Sequence, residues 1–179
     1  MVDTWKRKFL GGEIQTLSLL GAFATRNEGS PVYCDDAPEK QKNAFKLMIR
    51  DLLAKMGEEY AQGQHSEATH IAKIEWLANH LSAQFTLILD GGRFRIGVAQ
   101  KILNLYLKYR WTLGWNPEPF HCPFDSKVIS KLTLNRPIAW TSFDSLEDYK
   151  ALVDAAKRNA SQQRLTIAQW ELELWSGNQ

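Results

Sequence analysis

Residues 97–112 are apolar around almost the whole circumference of the helix that their spacing predicts. A helix without a polar face has no surface suited to solvent, so other elements must pack against all of its sides. The turn Asp90-Gly91-Gly92 precedes it, and the prolines within 116–119 end it, because proline lacks the N–H that a helix needs. We therefore expect one buried central helix, with apolar positions Ile96, Ala99, Ile102, Leu103, Leu105, Tyr106, Leu107, Tyr109 and Trp111.

Apolar residues recur at helical spacing in two segments before the central helix and in two after it. These four segments are residues 40–61, 66–85, 144–160 and 166–176. Ser145 and Thr166 begin the last two in capping-box form, in which the first and fourth residues cap each other's backbone N–H groups. A shorter apolar spacing follows Asp125, which we interpret as the N-cap of its helix.

Residues 1–39 are the least regular part of the chain. The spacing of Ile14, Leu17, Leu19 and Leu20 predicts a short helix, 27–40 reads as a turn-rich loop, and Leu87 to Leu89 could be extended. No repeat or linker divides the 179 residues, a length near that of one domain. The predicted fold class is all-α or nearly so, with residues 1–179 forming a single compact helical domain.

Compartment and redox state follow from what the sequence lacks. No apolar run approaches the roughly 20 residues needed to span a bilayer, and the N-terminal residues lack the apolar stretch of a secretory signal. Cys34 and Cys122 are not spaced as a CxxC pair, so neither a disulfide framework nor a cysteine zinc site is indicated. We expect a cytoplasmic protein with reduced thiols and no membrane partner.

Charge is unevenly distributed along the chain. Residues 93–137 contain eight Lys or Arg and only two Asp or Glu, whereas the whole chain has a net charge of +2. A local basic excess is typical of surfaces that contact phosphates, although lysine and arginine also decorate ordinary solvated helices. The segment 93–137 is the place to look for a nucleic-acid surface.

Several enzyme classes are excluded by motif. The sequence has no GxSxG nucleophile elbow, no GxxxxGK[ST] phosphate loop, no GxGxxG and no HExxH. Its histidines are scattered, and no carboxylate is spaced to complete a metal site with any of His65, His70, His80 and His121. We predict no metal site.

Two short motifs carry a resemblance to a known family. The first is Gly97-Val98 followed by Lys101 and Asn104, and the second is the segment 123–128, which reads Pro-Phe-Asp-Ser-Lys-Val. Together they resemble the helix-hairpin-helix DNA glycosylases, and the second is similar to the archaeal 8-oxoguanine glycosylases and their bacterial relatives. The resemblance covers residues 91–133. The iron–sulfur cysteines of some family members are absent, and we expect no cofactor.

The resemblance implies a DNA-repair glycosylase, with or without AP-lyase activity, that excises an oxidised purine. Lys101 would be the nucleophile, because a lysine amine on an apolar helix loses hydration and so favours its neutral form. Asp125 would stabilise the positive charge that develops on the sugar and assist proton transfer. Lys108 lies further along the same helix and is the alternative nucleophile.

DNA would be held by its backbone while the damaged base is flipped out of the duplex. The predicted phosphate contacts are Arg93, Arg95, Gly97, Lys108 and Lys127, the first three lying at a helix start whose N–H groups bind anions. The candidates for stacking on the flipped base are Trp111, Trp115, Phe120 and Trp140.

Two other functions stay open at this point: a non-catalytic nucleic-acid-binding module, and a helical protein-interaction or accessory protein. In either case the key residues have structural roles, with Lys101 reaching solvent from a buried helix and Asn104 tying down a loop. The enzyme hypothesis requires Lys101 and Asp125 to face one concave pocket with an aromatic wall and a basic rim, and it fails if they point to opposite sides.

Overall fold

The computed structural model describes residues 4–23, 30–63 and 65–177. Within these ranges every regular element is a helix, apart from an isolated antiparallel bridge between Tyr33 and Leu89, which confirms the all-α prediction. The α-helices are α1 (Thr4–Ala22), α2 (Glu39–Ala61), α3 (Glu67–Phe85), α4 (Ile96–Thr112), α5 (Ser126–Ile129), α6 (Leu146–Gln162) and α7 (Ile167–Ser176). No helix in this described part is long and apolar enough to cross a membrane.

The α4 helix occupies the centre, as its sequence predicts. It packs against α1, α2, α3 and α6, and most of its residues are buried, including Leu103 and Leu107. The helix ends where Gly114 adopts a φ of 70° and donates its N–H to the Trp111 carbonyl. That backbone conformation favours glycine, so the sequence itself sets the end of the helix.

Capping side chains begin four of the other helices. Ser66, Asp125, Ser145 and Thr166 each accept a hydrogen bond from a backbone N–H three residues later. At Thr166 the reciprocal bond, which the Thr166 N–H donates to the Gln169 side chain, completes the predicted capping box. The four helices expected around α4 are confirmed, and their predicted ends lie within two residues of the observed ones.

The N-terminal segment differs from the prediction. In place of a short helix near Ile14, α1 runs over 19 residues from Thr4 to Ala22. Gly11 and Gly12 disfavour a helix in their own segment, but packing of the Ile14 and Leu19 side chains into the core supplies the missing stability. The loop predicted at 27–40 is confirmed from Ser30 to Pro38, and its start lies outside the described residues. Of the segment 87–89, only Leu89 pairs in an extended bridge.

Candidate active site

Gln100, fully buried on α4, clamps the segment that leads into α5. Its amide nitrogen donates to the carbonyl of Phe124 at 2.8 Å, and its oxygen accepts from the N–H of Phe124 at 3.1 Å. The same nitrogen donates to the carbonyl of Gly97 at 2.9 Å. The neighbouring residue Asp125 is thereby held at a fixed distance from α4.

Asn104 fastens the same segment one turn further along α4. Its amide nitrogen donates to the Cys122 carbonyl at 3.0 Å and to the Tyr149 hydroxyl at 3.2 Å. Its side-chain oxygen lies 2.9 Å from Nε2 of His70. An amide oxygen only accepts, so His70 carries its proton on Nε2, and its Nδ1 accepts from the Tyr60 hydroxyl at 2.6 Å. The loop-tying role of Asn104 is thus observed.

The chain of hydrogen bonds continues from Tyr149 to the surface. Nε2 of His121 lies 2.9 Å from the carboxylate of Glu67, which only accepts, so this nitrogen carries the proton. Nδ1 of His121 therefore accepts from the Tyr149 hydroxyl at 2.7 Å. Burial alone would raise the pKa of Glu67, but the hydrogen bonds from His121 and Lys157 lower it overall.

Both buried histidines are neutral in this arrangement. Burial and, to a smaller extent, the proximity of His121 lower the pKa of His70 to about 3. Burial also lowers the pKa of His121, against the opposing effect of Glu67. A neutral imidazole donates from one nitrogen and accepts at the other, which fits the partners of both rings. His121 thus has a structural role, supporting the segment that carries Asp125.

Asp125 uses its two carboxylate oxygens for different purposes. Oδ1 accepts from the N–H of Val128 at 3.0 Å and caps α5, as predicted. Oδ2 lies 4.0 Å from Nζ of Lys101, and only 16% of the Asp125 side chain is exposed. The cap orients the carboxylate so that its second oxygen faces the amine.

Lys101 lies between this carboxylate and an indole ring. Its side chain is 9% exposed, and its Nζ lies 3.7 Å from the centre of the Trp140 ring. Trp140 is itself buried, and its indole N–H donates to the Ser126 hydroxyl at 3.1 Å. The structure therefore brings together three of the residues that the sequence singled out: Lys101, Asp125 and Trp140.

Gly97 allows the loop that carries Trp140 to rest directly on the start of α4. A Cβ atom at this position would lie 1.9 Å from the Trp140 carbonyl oxygen, which no side chain can tolerate. The N–H of Gly97 donates to the Phe143 carbonyl at 3.1 Å. Glycine is required here for backbone contact within the chain, and its N–H group already has a partner.

The predicted phosphate site at the start of α4 holds a carboxylate of the protein itself. Asp144 accepts from the N–H of Ile96 at 2.8 Å and from the guanidinium of Arg93 at 2.7 and 3.1 Å. Arg95 donates to Asp90 and to the carbonyls of Thr141, Ser30 and Pro31. Phosphate binding by Arg93 and Arg95 stays a prediction, and it would require exchange of these internal partners.

A second group of charges surrounds Lys108, seven residues after Lys101 on α4. Lys108, the alternative nucleophile, donates to the carboxylate of Glu171 at 2.8 Å, and the Glu171 side chain is only 1% exposed. Burial raises the pKa of Glu171, while Lys108 opposes the shift. The amine of Lys127 lies 3.9 Å from the ring centre of Trp175, which is 41% exposed. Lys108 therefore has a carboxylate of its own, whereas Lys101 faces Asp125.

Gln100, Glu171 and Trp175 were not identified from the sequence. Glu171 had a usable signal, because it occupies the buried stripe of α7 with Ile167, Trp170 and Leu174, and a carboxylate there needs a cation. Gln100 had a weaker one, as a polar residue on an apolar helix that must find partners. Trp175 had none beyond being an aromatic residue near the chain end.

The other three predicted stacking residues lie away from Lys101. Trp115 packs beneath the guanidinium groups of Arg7 and Arg110, at 5.2 and 5.8 Å from its ring centre. Phe120 lies 6.2 Å from the ring of His70. Trp111 follows Lys101 by ten residues on α4, about 15 Å along the helix axis. Trp140 is therefore the member of the predicted set that contacts the candidate nucleophile.

Within the described ranges, no group of three or more His, Cys, Asp or Glu side chains is arranged to hold a metal ion. Comparison of the chain with protein-family models, curated proteins and solved structures finds no match in any of the three.

Proposed function

We propose that this protein is a DNA-repair glycosylase in which Lys101 is the nucleophile and Asp125 transfers protons and stabilises charge. One observation carries the proposal: Nζ of Lys101 lies between the Trp140 ring at 3.7 Å and the Asp125 carboxylate at 4.0 Å. In a site with little water, a carboxylate at this distance can accept a proton from the amine. The resemblance of residues 91–133 to the helix-hairpin-helix glycosylases supports the same reaction, and it alone indicates an oxidised purine.

The reaction begins with transfer of a proton from the Lys101 ammonium group to Asp125. The neutral amine attacks C1′ of the damaged nucleoside, the C1′–N bond breaks, and the base leaves with the bonding electrons and takes the proton from Asp125. The attached amine then returns a proton to Asp125, and the C1′–O4′ bond opens to give an imine while O4′ is protonated. Loss of a C2′ proton from this imine would release the 3′ phosphate, which is the lyase step.

The charges beside the site suit a polyanionic substrate. Lys108 and Lys127 follow Lys101 on the same side of the molecule, where both approach the Trp175 ring. The Glu171 carboxylate neutralises Lys108, so the positive charge of Lys127 remains on this surface. The exposed face of Trp175 can stack on a base, as aromatic side chains do in single-strand binding. These contacts would hold the strand next to Lys101.

Borohydride trapping tests the proposed chemistry. The protein is incubated with duplexes that carry 8-oxoguanine, other damaged bases or an abasic site, and borohydride reduces any imine to a stable protein–DNA adduct. We expect an adduct that Lys101→Gln abolishes. The comparison variant is Lys108→Gln, on the same helix, which should still form the adduct but in lower yield, because Lys108 also contacts the strand and neutralises the buried Glu171. An adduct that survives Lys101→Gln but not Lys108→Gln would transfer the nucleophile role to Lys108.

Two further measurements separate catalysis from binding. Asp125→Asn keeps an N-cap oxygen, so the fold should persist while base release slows by roughly 10²–10⁴-fold. DNA affinity should fall with salt, with a log–log slope near −0.9 for each phosphate contacted. Salt-dependent binding without base release from any lesion would instead identify a nucleic-acid-binding module.

A protein-interaction role is the second candidate, because α1 exposes large apolar side chains. Trp5, Phe9 and Leu20 are 67%, 66% and 64% exposed on this helix. Exposed apolar surface of this kind is typical of contact sites for other proteins. If the protein neither binds DNA nor forms the adduct, an accessory protein that uses α1 becomes the better explanation.

A further inference from the structure

We propose that Trp140 is a positioning residue whose indole covers the amine of Lys101 in the protein without substrate. Gly97 allows the loop that carries Trp140 to pack on α4 and so to place the indole over the amine. The inference rests on the proposed function, since it concerns access to the same amine. It assigns to Trp140 a role different from stacking on a flipped base. The substrate reaches Lys101 only after the indole has moved.

The space in front of the amine is already filled. The Trp140 ring centre is 3.7 Å from Nζ, and the Lys101 side chain is 9% exposed. A sugar carbon must approach Nζ to about 3–3.5 Å before it can react. The indole and the sugar cannot both occupy that distance on the same side of the amine. The carboxylate of Asp125 occupies a second side at 4.0 Å.

The cover is part of a loop, residues 139–144, whose backbone is seated on α4. Gly97 is the contact point, because its missing side chain leaves room for the Trp140 carbonyl and its N–H binds the Phe143 carbonyl. Any larger residue would displace the backbone that carries the indole. Alanine at this position should therefore push the loop away from α4.

Polar contacts also hold the loop in place at its outer side. The indole N–H donates to Ser126, and the carbonyl of Thr141 accepts from Arg95 at 2.8 Å. At the far end Asp144 is paired with Arg93. Both arginines lie in the basic segment, so a phosphate that binds either guanidinium competes with the loop for it. Binding of a DNA strand would thereby weaken the closed state and uncover Lys101.

Chemical labelling without DNA tests the cover. Lysines are methylated with formaldehyde and cyanoborohydride, and the rate at each site is read by peptide mass spectrometry, with the exposed Lys40 as internal reference. Trp140→Ala should raise the rate at Lys101 roughly tenfold, since a desolvated cation–π contact of this kind is lost. Trp140→Phe retains an aromatic cover and should keep the rate close to that of the natural protein.

The glycine is tested by a matched pair of substitutions. Gly97→Ala should also raise the rate at Lys101, whereas Gly11→Ala, which meets no atom within 4 Å, should leave it unchanged. If Gly97→Ala does not fold, the comparison of Trp140→Ala with Trp140→Phe decides the question alone. Equal rates at Lys101 and Lys40 in the natural protein, or no effect of Trp140→Ala, would overturn the proposal. No substrate is used, so this result is independent of whether the DNA adduct forms.

Discussion

Replacement of Gln100 by alanine should destabilise the protein by about 2–6 kcal/mol, because it leaves two buried backbone groups of Phe124 without partners. The N–H and C=O of this fully buried residue bond to the two ends of the Gln100 amide, at 3.1 and 2.8 Å. An orphaned buried polar group costs about 1–3 kcal/mol, which gives the stated range for two. Of the other two partners of Gln100, the Gly97 carbonyl lies within α4 and keeps its helical hydrogen bond, and the Asn104 amide keeps its bonds to Cys122 and Tyr149.

Urea unfolding followed by circular dichroism measures this loss. The control is Gln15→Ala, which removes one hydrogen bond from a half-buried glutamine to the Arg50 carbonyl and should cost no more than about 1.5 kcal/mol. Because Gln100 also holds the segment next to Asp125, the variant should form less of the borohydride adduct under conditions where it is still folded. Equal losses of unfolding free energy for Gln100→Ala and Gln15→Ala would refute the reasoning, because the two hydrogen bonds to Phe124 would then contribute no more than one half-buried hydrogen bond.

Three further results are expected. Leu103→Ala should lower the free energy of unfolding by about 2–5 kcal/mol, because Leu103 is fully enclosed on the central helix; a loss below about 0.5 kcal/mol in urea would contradict that position. The folded pKa of His70, about 3, lies below its unfolded value near 6.5, so the stability contributed by the neutral ring is lost as pH falls through this range. His70→Gln should therefore reduce the slope of the free energy of unfolding against pH by about 1.4 kcal/mol per pH unit, and parallel stability curves for the two proteins would disprove the assignment. Gly11→Ala should raise the thermal midpoint through a gain of about 0.5–1 kcal/mol, since its Cβ would point into open space within a helix; a lower midpoint would mean that the glycine has a partner.

The fold was predictable where local signals and burial agree. The α4 helix combines a long apolar run with a glycine, Gly114, just after its last residues. The capping box of Thr166 and Gln169 marks the start of α7. The α1 helix was underestimated because Gly11 and Gly12 interrupt it and because much of its apolar surface faces outward. Its length depends on contacts with α4, which are not encoded in its own segment.

The site was only partly predictable for a similar reason. Lys101 and Asp125 stand in short motifs, so their roles as amine and N-cap could be proposed from sequence. Which tryptophan would reach Lys101 could not, because Trp140 lies in an irregular loop without periodicity. The internal partners of Arg93 and Arg95 likewise depend on how distant loops meet, and charge counting treats such arginines as free surface charge.

The buried hydrogen bonds between Tyr60 and Glu67 all point the same way along the chain of side chains. Each member receives from the one before it and gives to the next, so none can change its donor and acceptor pattern alone. Asn104→Asp, for example, would remove the donor that Tyr149 and the Cys122 carbonyl require. During divergence these positions should therefore change together or not at all, and a related sequence that differs at one of them should differ at its neighbours in the chain.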